Sequence, residues 1–394
     1  MKIAILTCGM LPIPAVQGGA VENKIDFILE YNDRRKLHDI TVFSPWNQKA
    51  VRHPATSSDV NHYIFIDVSS VKARITRRLY GYLHFGEYYN YFIEYYFEKV
   101  YAHLMRQNYD CIVLDNCPGY VIKLSQRGYK NLVLRLGNDL LNSKTKWHDQ
   151  IFNNTRKIMT CSNYIGEKVA TIRQDNKIQT LYNGIDVNAF ISRKEQLISR
   201  REIGLSEEDF VIVFSGRVNK DKGVSELIDA MLMLQNKPNI KLMIIGSTFF
   251  ANAVNEDDFV RSLKERAKAI EDRIVFTGFI PYSQMPNYLQ LANIAALPSM
   301  WEEPFGLTII EAMAAGLPLI TTRSGGIPEI CEGIATILDR SNVVSHLVTA
   351  IIDLQNNPEK RNQMSAAGIE RAKQFDKESF AKNFFSALEY SEHD

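Results

Sequence analysis

The sequence has few cysteines and no long apolar run, and both absences limit what the chain can be. Its 394 residues include five cysteines, an odd number, which are scattered and lack the C-x2-C pairs of zinc sites. We therefore expect reduced, mostly buried thiols and a cytoplasmic protein. No uninterrupted apolar segment approaches the roughly 20 residues that a membrane-spanning helix requires. The start, MKIAILTCGMLPIPA, imitates a signal peptide, but prolines interrupt it, so we predict a first strand that leads into a loop.

Several binding signatures are missing as well. No G-x-G-x-x-G follows the first strand, which argues against a dinucleotide dehydrogenase, and no P-loop sequence occurs. The eight histidines show no metal-ligand spacing. A formal net charge of +1 gives no support to a nucleic-acid partner. We therefore predict no cofactor and no metal.

What the sequence does have is an alternation of short apolar runs with longer amphipathic stretches. Runs such as KIAILT and CIVLDN in the first half, and FVIVFSG and KLMIIGS in the second, lack polar alternation. Such strands, separated by helical patterns, are typical of a parallel sheet covered on both faces. A chain of 394 residues also exceeds the roughly 250 to 300 residues that one core supports. We predict two doubly wound α/β domains.

The turn at Asn183-Gly184 and the polar stretch after it mark the predicted domain boundary. We assign residues 1–188 to an N-terminal domain and residues 189–376 to a C-terminal domain. Residues 377–394 have apolar residues at helical spacing, and we expect a helix that packs back toward the N-terminal domain. Ligands of open α/β sheets bind beyond the carboxyl ends of the strands, so two such domains facing each other would form a central cleft.

The segment EEPFGLTIIE places two glutamates around a predicted helix start. Pro304 disfavours helix for Glu303, whereas Glu311 is expected one to two turns into the helix. The backbone N–H groups at this start would form an anion site; they belong to Phe305, Gly306, Leu307 and Thr308. A ligand with hydroxyls at both ends and phosphates in the middle, such as a nucleoside diphosphate sugar, suits this layout. The alternative is a capping glutamate and a surface ion pair.

Two cations and a glycine pair could bind the phosphates. Arg217 and Lys222 lie in SGRVNKDKG, between a predicted strand and the next helix, where they are well placed to neutralise a diphosphate. A solvated basic loop is the alternative. Gly18 and Gly19 precede a helical pattern, where bare backbone can approach a phosphate, although such a pair is as often only a turn.

Together these motifs resemble the retaining glycosyltransferases of the GT-B fold, family four in the usual classification. The resemblance is carried by Gly18-Gly19-Ala20, NGID at 183–186, SGRVNKDKG, GFIPYSQMPNYLQLANIAALPS, EEPFGLTIIEAMAAGLPLI and SGGIPEI. It spans nearly the whole chain and is stronger over residues 180–335. The resemblance implies two Rossmann-like domains facing a central cleft, with the acceptor on the N-terminal side and the nucleotide sugar in the C-terminal domain.

The resemblance also implies roles for the matching side chains. Glu311 would bind the ribose hydroxyls, and Glu303 with the backbone of Phe305 to Leu307 would bind the sugar hydroxyls. Arg217 and Lys222 would hold the diphosphate and stabilise the negative charge that grows on it. The predicted catalytic residues are therefore Glu303, Arg217 and Lys222, and Thr308 at the helix start would add a donor contact.

The remaining implied donor contacts are made by backbone groups of Gly18, Gly19, Gly278, Phe279 and Ile280. The first two would close over the phosphates from the N-terminal domain, and the other three would cradle the base. Members of the family often carry a histidine near the donor sugar, where this sequence has Gly137. Asn138 and Asp139 remain there as possible contacts to sugar or acceptor. The departure would fit a different donor sugar or an altered activity.

The predicted function is metal-independent, retaining transfer of a sugar from a nucleotide sugar, with UDP-sugars favoured, to a hydroxyl of a glycan or a lipid-linked glycan. The chain lacks a D-x-D pair, the metal site of the other main glycosyltransferase fold. Alternatives are a phosphorylase or epimerase on the same fold, or a non-catalytic subunit that binds a glycan or stabilises a partner. Retention of the cations and of the glutamate pair favours catalysis.

A basic cluster precedes a segment rich in aromatic residues. The cluster comprises Lys72, Arg74, Arg77 and Arg78. In the segment after it, Phe85, Tyr88, Phe92 and Tyr95 recur at helical spacing. Such a combination suits an anionic membrane surface, so we expect a cytoplasmic protein with peripheral contact to the inner face of the membrane. The alternative is a core helix beside a solvated basic turn.

Overall fold

The computed structural model describes residues 1–83, 91–191, 198–247 and 258–389, and the chain divides into two compact units. The N-terminal domain comprises Met1–Asn183 and the chain from Glu378 onward, and the C-terminal domain comprises Gly184–Lys377. The division thus falls at the Asn183-Gly184 turn itself, slightly before the predicted boundary at residue 188.

The N-terminal domain is built on a parallel sheet of seven strands. The strands are β1 (Lys2–Leu6), β2 (Asp39–Pro45), β3 (Asn61–Ile66), β4 (Cys111–Asp115), β5 (Leu132–Leu136), β6 (Lys157–Thr160) and β7 (Ile178–Thr180). The helices are α1 (Ala20–Arg35), α2 (Gln48–Val51), α3 (Val71–Leu83), α4 (Tyr91–Leu104), α5 (Tyr120–Gln126), α6 (His148–Asn153) and α7 (Asn163–Ala170). The strand order β3-β2-β1-β4-β5-β6-β7 means that the chain winds outward from the centre in both directions.

The C-terminal domain repeats this plan with six parallel strands. The strands are β8 (Phe210–Ser215), β9 (Ile240–Ile245), β10 (Ile274–Gly278), β11 (Ile294–Leu297), β12 (Leu319–Thr322) and β13 (Thr336–Leu338). The helices are α8 (Val187–Ile191), α9 (Val224–Met233), α10 (Asp258–Arg266), α11 (Met285–Leu289), α12 (Leu307–Ala314), α13 (Ile327–Cys331), α14 (Val343–Asn356) and α15 (Pro358–Ala372). The order is β10-β9-β8-β11-β12-β13. Both domains are doubly wound α/β units, so the predicted fold class is confirmed.

The last helix, α16 (Lys377–Leu388), belongs to the N-terminal core. Phe380 and Phe384 are buried in one cluster with side chains of β1, α1, β4 and β5. Their spacing of four residues puts both rings on one face of the helix. The chain thus returns to its first domain after completing the second.

The aromatic segment after the basic cluster is in part a core helix. Tyr95, Tyr96 and Phe97 of α4 are buried, which favours the core alternative for this helix. Phe85 and Tyr88 lie outside the described residues, as does the side chain of Phe92. Within the part of the chain that the structure covers, no helix combines the length and the hydropathy needed to cross a membrane.

Candidate active site

The candidate active site lies at the carboxyl edge of the C-terminal sheet, where β8 and β11 are neighbours. These two strands pair in parallel, although two other strands separate them in the sequence. This is the point at which the winding direction reverses, and open α/β sheets bind ligands there. The loop after β8 carries Arg217 and Lys222, and the loop after β11 carries Glu303.

A close backbone approach ties the two loops together. Gly223, which ends the basic loop, has φ +73°, and a Cβ there would lie 2.0 Å from the carbonyl oxygen of Pro298. The N–H of Met300 donates to the carbonyl of Asp221 at 2.8 Å. Glycine is required at position 223 for both reasons, conformation and space. The contact fixes Lys222 beside the start of the glutamate loop.

Lys222 and Glu303 form a hydrogen-bonded ion pair. The Lys222 ammonium donates to Glu303 Oε1, and the Ser299 hydroxyl donates to the same oxygen at 3.0 Å. The two side chains are only 19% and 10% exposed, so the pair is shielded from water. Lys222 Nζ also lies 5.3 Å from the centre of the Trp301 ring. Sequence reasoning gave the two charged residues separate roles and overlooked Ser299 and Trp301.

A glycine turn supports Glu303 from behind. The N–H of Gly326 donates to the Glu303 carbonyl at 2.8 Å, and the N–H of Gly325 donates to Glu302 Oε2 at 2.7 Å. Gly325 has φ +53°, and a Cβ there would lie 2.1 Å from the Glu303 carbonyl oxygen. The SGG motif after β12 is therefore explained by its approach to the glutamate loop.

Glu311 is a buried carboxylic acid on α12. It is 7% exposed, and burial raises its pKa from 4.5 to about 7, although a hydrogen bond with Tyr282 opposes the rise. Tyr282 begins the short turn that follows β10 and packs edge-on against Phe190 at 5.8 Å. Tyr282 thus connects the predicted base-binding loop, which carries Gly278, to Glu311, the residue predicted to bind the ribose. Sequence reasoning overlooked this residue.

The start of α12 lies between the two glutamates. The helix begins at Leu307 after Gly306 (φ +104°), and no side chain caps it. The Phe305 ring is buried and packs against Phe375, with 5.8 Å between the ring centroids. Backbone N–H groups of an uncapped first turn attract anions.

Arg217 differs from Lys222 in its surroundings. Its side chain is exposed, and within the described residues no ion pair engages the guanidinium. Phe279 of the predicted base-binding loop is exposed as well, at 43%, whereas Ile280 is half-buried. Arg217 can therefore meet an incoming anion without first breaking a contact.

The glycines predicted for the N-terminal domain lie after β1 and β5. Gly18 and Gly19 have φ +76° and +109°, and Gly19 immediately precedes α1. The Gly137 N–H donates to Asn116 Oδ1 at 2.7 Å, and a Cβ at Gly137 would lie 3.1 Å from Asn116 Nδ2. The asparagine side chain thus occupies space that a larger residue at 137 would need. Asn138 next to it is half-buried, and Asp139 is exposed.

Sequence reasoning also overlooked a buried cluster of charges at the carboxyl ends of β4 and β5. Arg135 pairs with Asp115, and Arg135 Nη2 donates to Asn183 Oδ1 at 2.9 Å. Lys24 donates to the same oxygen at 3.1 Å, and burial, with the nearby Arg135, lowers its pKa to about 8. The single arginine inside the apolar run LVLRL could have indicated this buried charge cluster from the sequence. The cluster holds Asn183, the last residue of this domain segment.

Among the described residues, no group of three or more histidine, cysteine, aspartate or glutamate side chains could hold a metal ion.

Two doubly wound parallel-sheet domains in one chain are the architecture of the GT-B glycosyltransferases. A profile of the family described as glycosyl transferases group 1 matches residues 195–371. The putative glycosyltransferase YtcC of Bacillus subtilis is 30% identical over 381 residues, which cover 93% of this chain and 86% of the relative. The chain belongs to the glycosyl transferases group 1 family.

Further similarities extend over the full length. Spore coat protein SA of Bacillus subtilis is 26% identical, with 99% of both chains covered. A crystal structure of HepE from Anabaena in complex with UDP and glucose has a TM-score of 0.74 and 20% identity, with 98% of each chain covered. The structural similarity establishes the shared GT-B fold.

Proposed function

We propose that this glycosyltransferase moves a sugar from a nucleoside diphosphate sugar, with UDP-sugars favoured, to a hydroxyl of a glycan or lipid-linked glycan. Transfer retains the anomeric configuration, as in the family-four enzymes, and needs no metal ion. One observation carries the proposal. At the β8–β11 switch point, Lys222, Ser299 and Glu303 converge beside the exposed Arg217 and the uncapped start of α12.

The leaving group of the proposed reaction is a nucleoside diphosphate. As the glycosidic bond breaks, negative charge grows on the phosphate oxygen. Arg217 and Lys222 lie between β8 and α9, at the carboxyl edge of the sheet. The N-terminal N–H groups of α12 add the positive end of a helix dipole. Preorganised cations at a site of developing charge lower the barrier. This is the role that a metal ion fills in other transferases, so the proposal does without one.

The two glutamates recognise hydroxyls in the proposed complex. Glu311 accepts hydrogen bonds from the ribose, and Glu303 accepts hydrogen bonds from the transferred sugar. Both residues are buried, so ligand hydroxyls that reach them have little competition from water. The UDP and glucose bound by HepE support a UDP-sugar as the donor.

Retention is proposed through attack on the face from which the diphosphate leaves. The acceptor oxygen bonds to the anomeric carbon, the carbon–oxygen bond to the phosphate breaks, and the acceptor proton passes to the departing phosphate oxygen. No covalent intermediate with the protein is required. We place the reaction in the cytoplasm, at the inner face of the membrane when the acceptor is lipid-linked.

The test is nucleotide release from a panel of UDP-, GDP- and ADP-sugars, with EDTA present. We expect slow release from one donor, reduced at least about a hundredfold in Arg217→Ala, because one preorganised donor of charge stabilisation contributes about 3 kcal/mol. Arg201→Ala serves as the matched control, since Arg201 is an exposed arginine of the same domain outside the site. Glu311→Gln should weaken donor binding.

Equal rates in the Arg217 and Arg201 variants would contradict the assigned site. Loss of activity in EDTA that Mg²⁺ restores would contradict metal independence. If no nucleotide binds in calorimetry and none is released with glycan acceptors present, the non-catalytic subunit becomes the better account.

A further inference from the structure

Helix α3 turns an apolar stripe away from the domain. Successive residues of an α-helix are about 100° apart, so residues at spacings of three, four and seven share a face. The stripe, called here the α3 stripe, consists of Val71, Ile75, Leu79, Tyr82 and Leu83. These five side chains are between 56% and 82% exposed.

The other side of the same helix is packed on the domain. Ala73 is buried, at 2% exposure, and Arg77 and Tyr80 are half-buried; these residues recur at spacings of four and three. Helix α3 makes its helix–helix contacts with α4, whose Tyr96 and Phe97 belong to the core. The α3 stripe is therefore exposed to solvent, because the opposite face of the helix packs against the domain.

The exposure is concentrated rather than scattered. Other exposed large apolar residues, such as Trp46, Met105 and Met233, come from separate elements. Single exposed apolar side chains are ordinary on protein surfaces, but a contiguous apolar patch marks an interaction site. The α3 stripe is such a patch on a single helix.

The charges beside the stripe all have one sign. Lys72 flanks the stripe on one side and Arg74 and Arg78 flank it on the other, and all three are exposed. Arg77 is different, since it is half-buried and its Nη1 donates to the Val68 carbonyl at 3.4 Å. The sequence from Val71 to Leu83 contains no aspartate or glutamate. The surface is thus apolar in the middle and cationic along both edges.

We propose that α3 is a membrane-docking helix that lies on a bilayer containing anionic lipids. The α3 stripe enters the boundary between headgroups and acyl chains, and Lys72, Arg74 and Arg78 contact lipid phosphates. Burial of an apolar face together with cationic edges is how amphipathic helices bind the plane of an anionic membrane. A second copy of the chain suits this surface poorly, because pairing two stripes would bring like charges together.

The proposal differs from the sequence-based expectation in two respects. The proposed membrane face is the α3 stripe and not the aromatic residues of α4, of which Tyr95, Tyr96 and Phe97 are buried. Three cations rather than four face outward. The docking does not depend on catalysis; the proposed function adds only the reason for it, a lipid-linked acceptor.

The test is co-sedimentation of the full chain with vesicles of phosphatidylcholine alone or with about 30% phosphatidylglycerol. We expect binding to the anionic vesicles that weakens as NaCl is raised, since salt screens the attraction. Replacing Lys72, Arg74 and Arg78 with serine should weaken it on the order of 100-fold, from about fivefold for each cation. The control triple variant replaces Lys49, Arg52 and Lys130, exposed cations of the same domain.

A second variant separates the apolar contribution. Ile75→Ser with Leu79→Ser should weaken vesicle binding on the order of tenfold or more, while far-UV circular dichroism and donor-sugar turnover without vesicles stay unchanged. Binding by the two α3 variants equal to that of the control would overturn the proposal. So would sedimentation of the wild type as a dimer that the apolar double variant dissociates, since the stripe would then join two copies.

Discussion

Replacement of Glu311 by glutamine tests whether burial raises the pKa of this acid, with the free energy of unfolding as the measured quantity. In the folded chain, burial raises the pKa of Glu311 from 4.5 to about 7. A raised pKa means that the fold favours the protonated acid. Its contribution to stability is therefore complete below pH 4.5 and is lost as the pH rises through 7. One pH unit corresponds to about 1.36 kcal/mol, so the ionised Glu311 costs the folded chain about 3 kcal/mol at pH 8.

Glutamine keeps the shape and can still accept from the Tyr282 hydroxyl, but it never ionises. Glu311→Gln should therefore exceed the wild type in free energy of unfolding by only about 1 kcal/mol at pH 5 and by about 3 kcal/mol at pH 8. For a domain of this size, that difference raises the melting temperature by roughly 6 to 12 °C. Glu22 and Asp26 of the other domain also have pKa values raised to about 7 by burial, so the comparison is made between variant and wild type at each pH.

Thermal melts of both proteins at half-unit intervals from pH 5 to pH 8 measure the difference. The reasoning fails if the variant gains no stability between pH 5 and pH 8, because an acid with an ordinary pKa would be ionised in both states throughout that range. It also fails if the full gain of about 3 kcal/mol is present already at pH 5. Such a result would indicate better packing of the amide instead of an ionisation cost.

Other consequences can be measured in the same protein. The affinity for UDP should be about tenfold weaker at pH 6 than at pH 8, because an acid with a pKa of about 7 is about one-tenth ionised at pH 6; calorimetry of Glu311→Gln should show no such loss. Gly223→Ala should cost roughly 2 to 4 kcal/mol in urea unfolding, whereas Gly333→Ala, at a similar φ of +75° in open space, should cost about 1 kcal/mol. In a double-mutant cycle of the free energy of unfolding, the effects of Lys222→Met and Glu303→Gln should differ from additivity by about 1 to 3 kcal/mol. Additive effects would mean that the ion pair contributes nothing to stability.

Local rules were sufficient for the parts of the site that depend on neighbouring residues. Pro304 and Gly306 placed Glu303 on a loop and Glu311 inside the helix, and α12 begins at Leu307. The all-buried strand FVIVFS placed Arg217 just beyond a carboxyl end. Apolar runs and turn residues carry such information because strand burial and helix starts are decided within a few residues.

Contacts between distant residues were beyond those rules. Lys222 and Glu303 are 81 positions apart in the sequence, and no periodicity relates them. Their contact depends on β8 and β11 becoming neighbours across the switch point. The sequence has Gly137 where the resemblance led us to expect a histidine, but it did not indicate that the Gly137 N–H donates to the side chain of Asn116. Both contacts depend on the tertiary structure, which brings residues far apart in the sequence together.

The ion pair gives the site an order of events in the proposed mechanism. Lys222 donates to Glu303 in the structure, and a shielded carboxylate left without its partner would be costly. A diphosphate that approaches along the exposed Arg217 offers Lys222 a stronger anion and draws it away. Glu303 then needs new hydrogen-bond donors, which the hydroxyls of the transferred sugar supply. In this proposed mechanism, recognition of the sugar is coupled to occupation of the phosphate site, so that a free sugar without its nucleotide would find Glu303 already paired with Lys222.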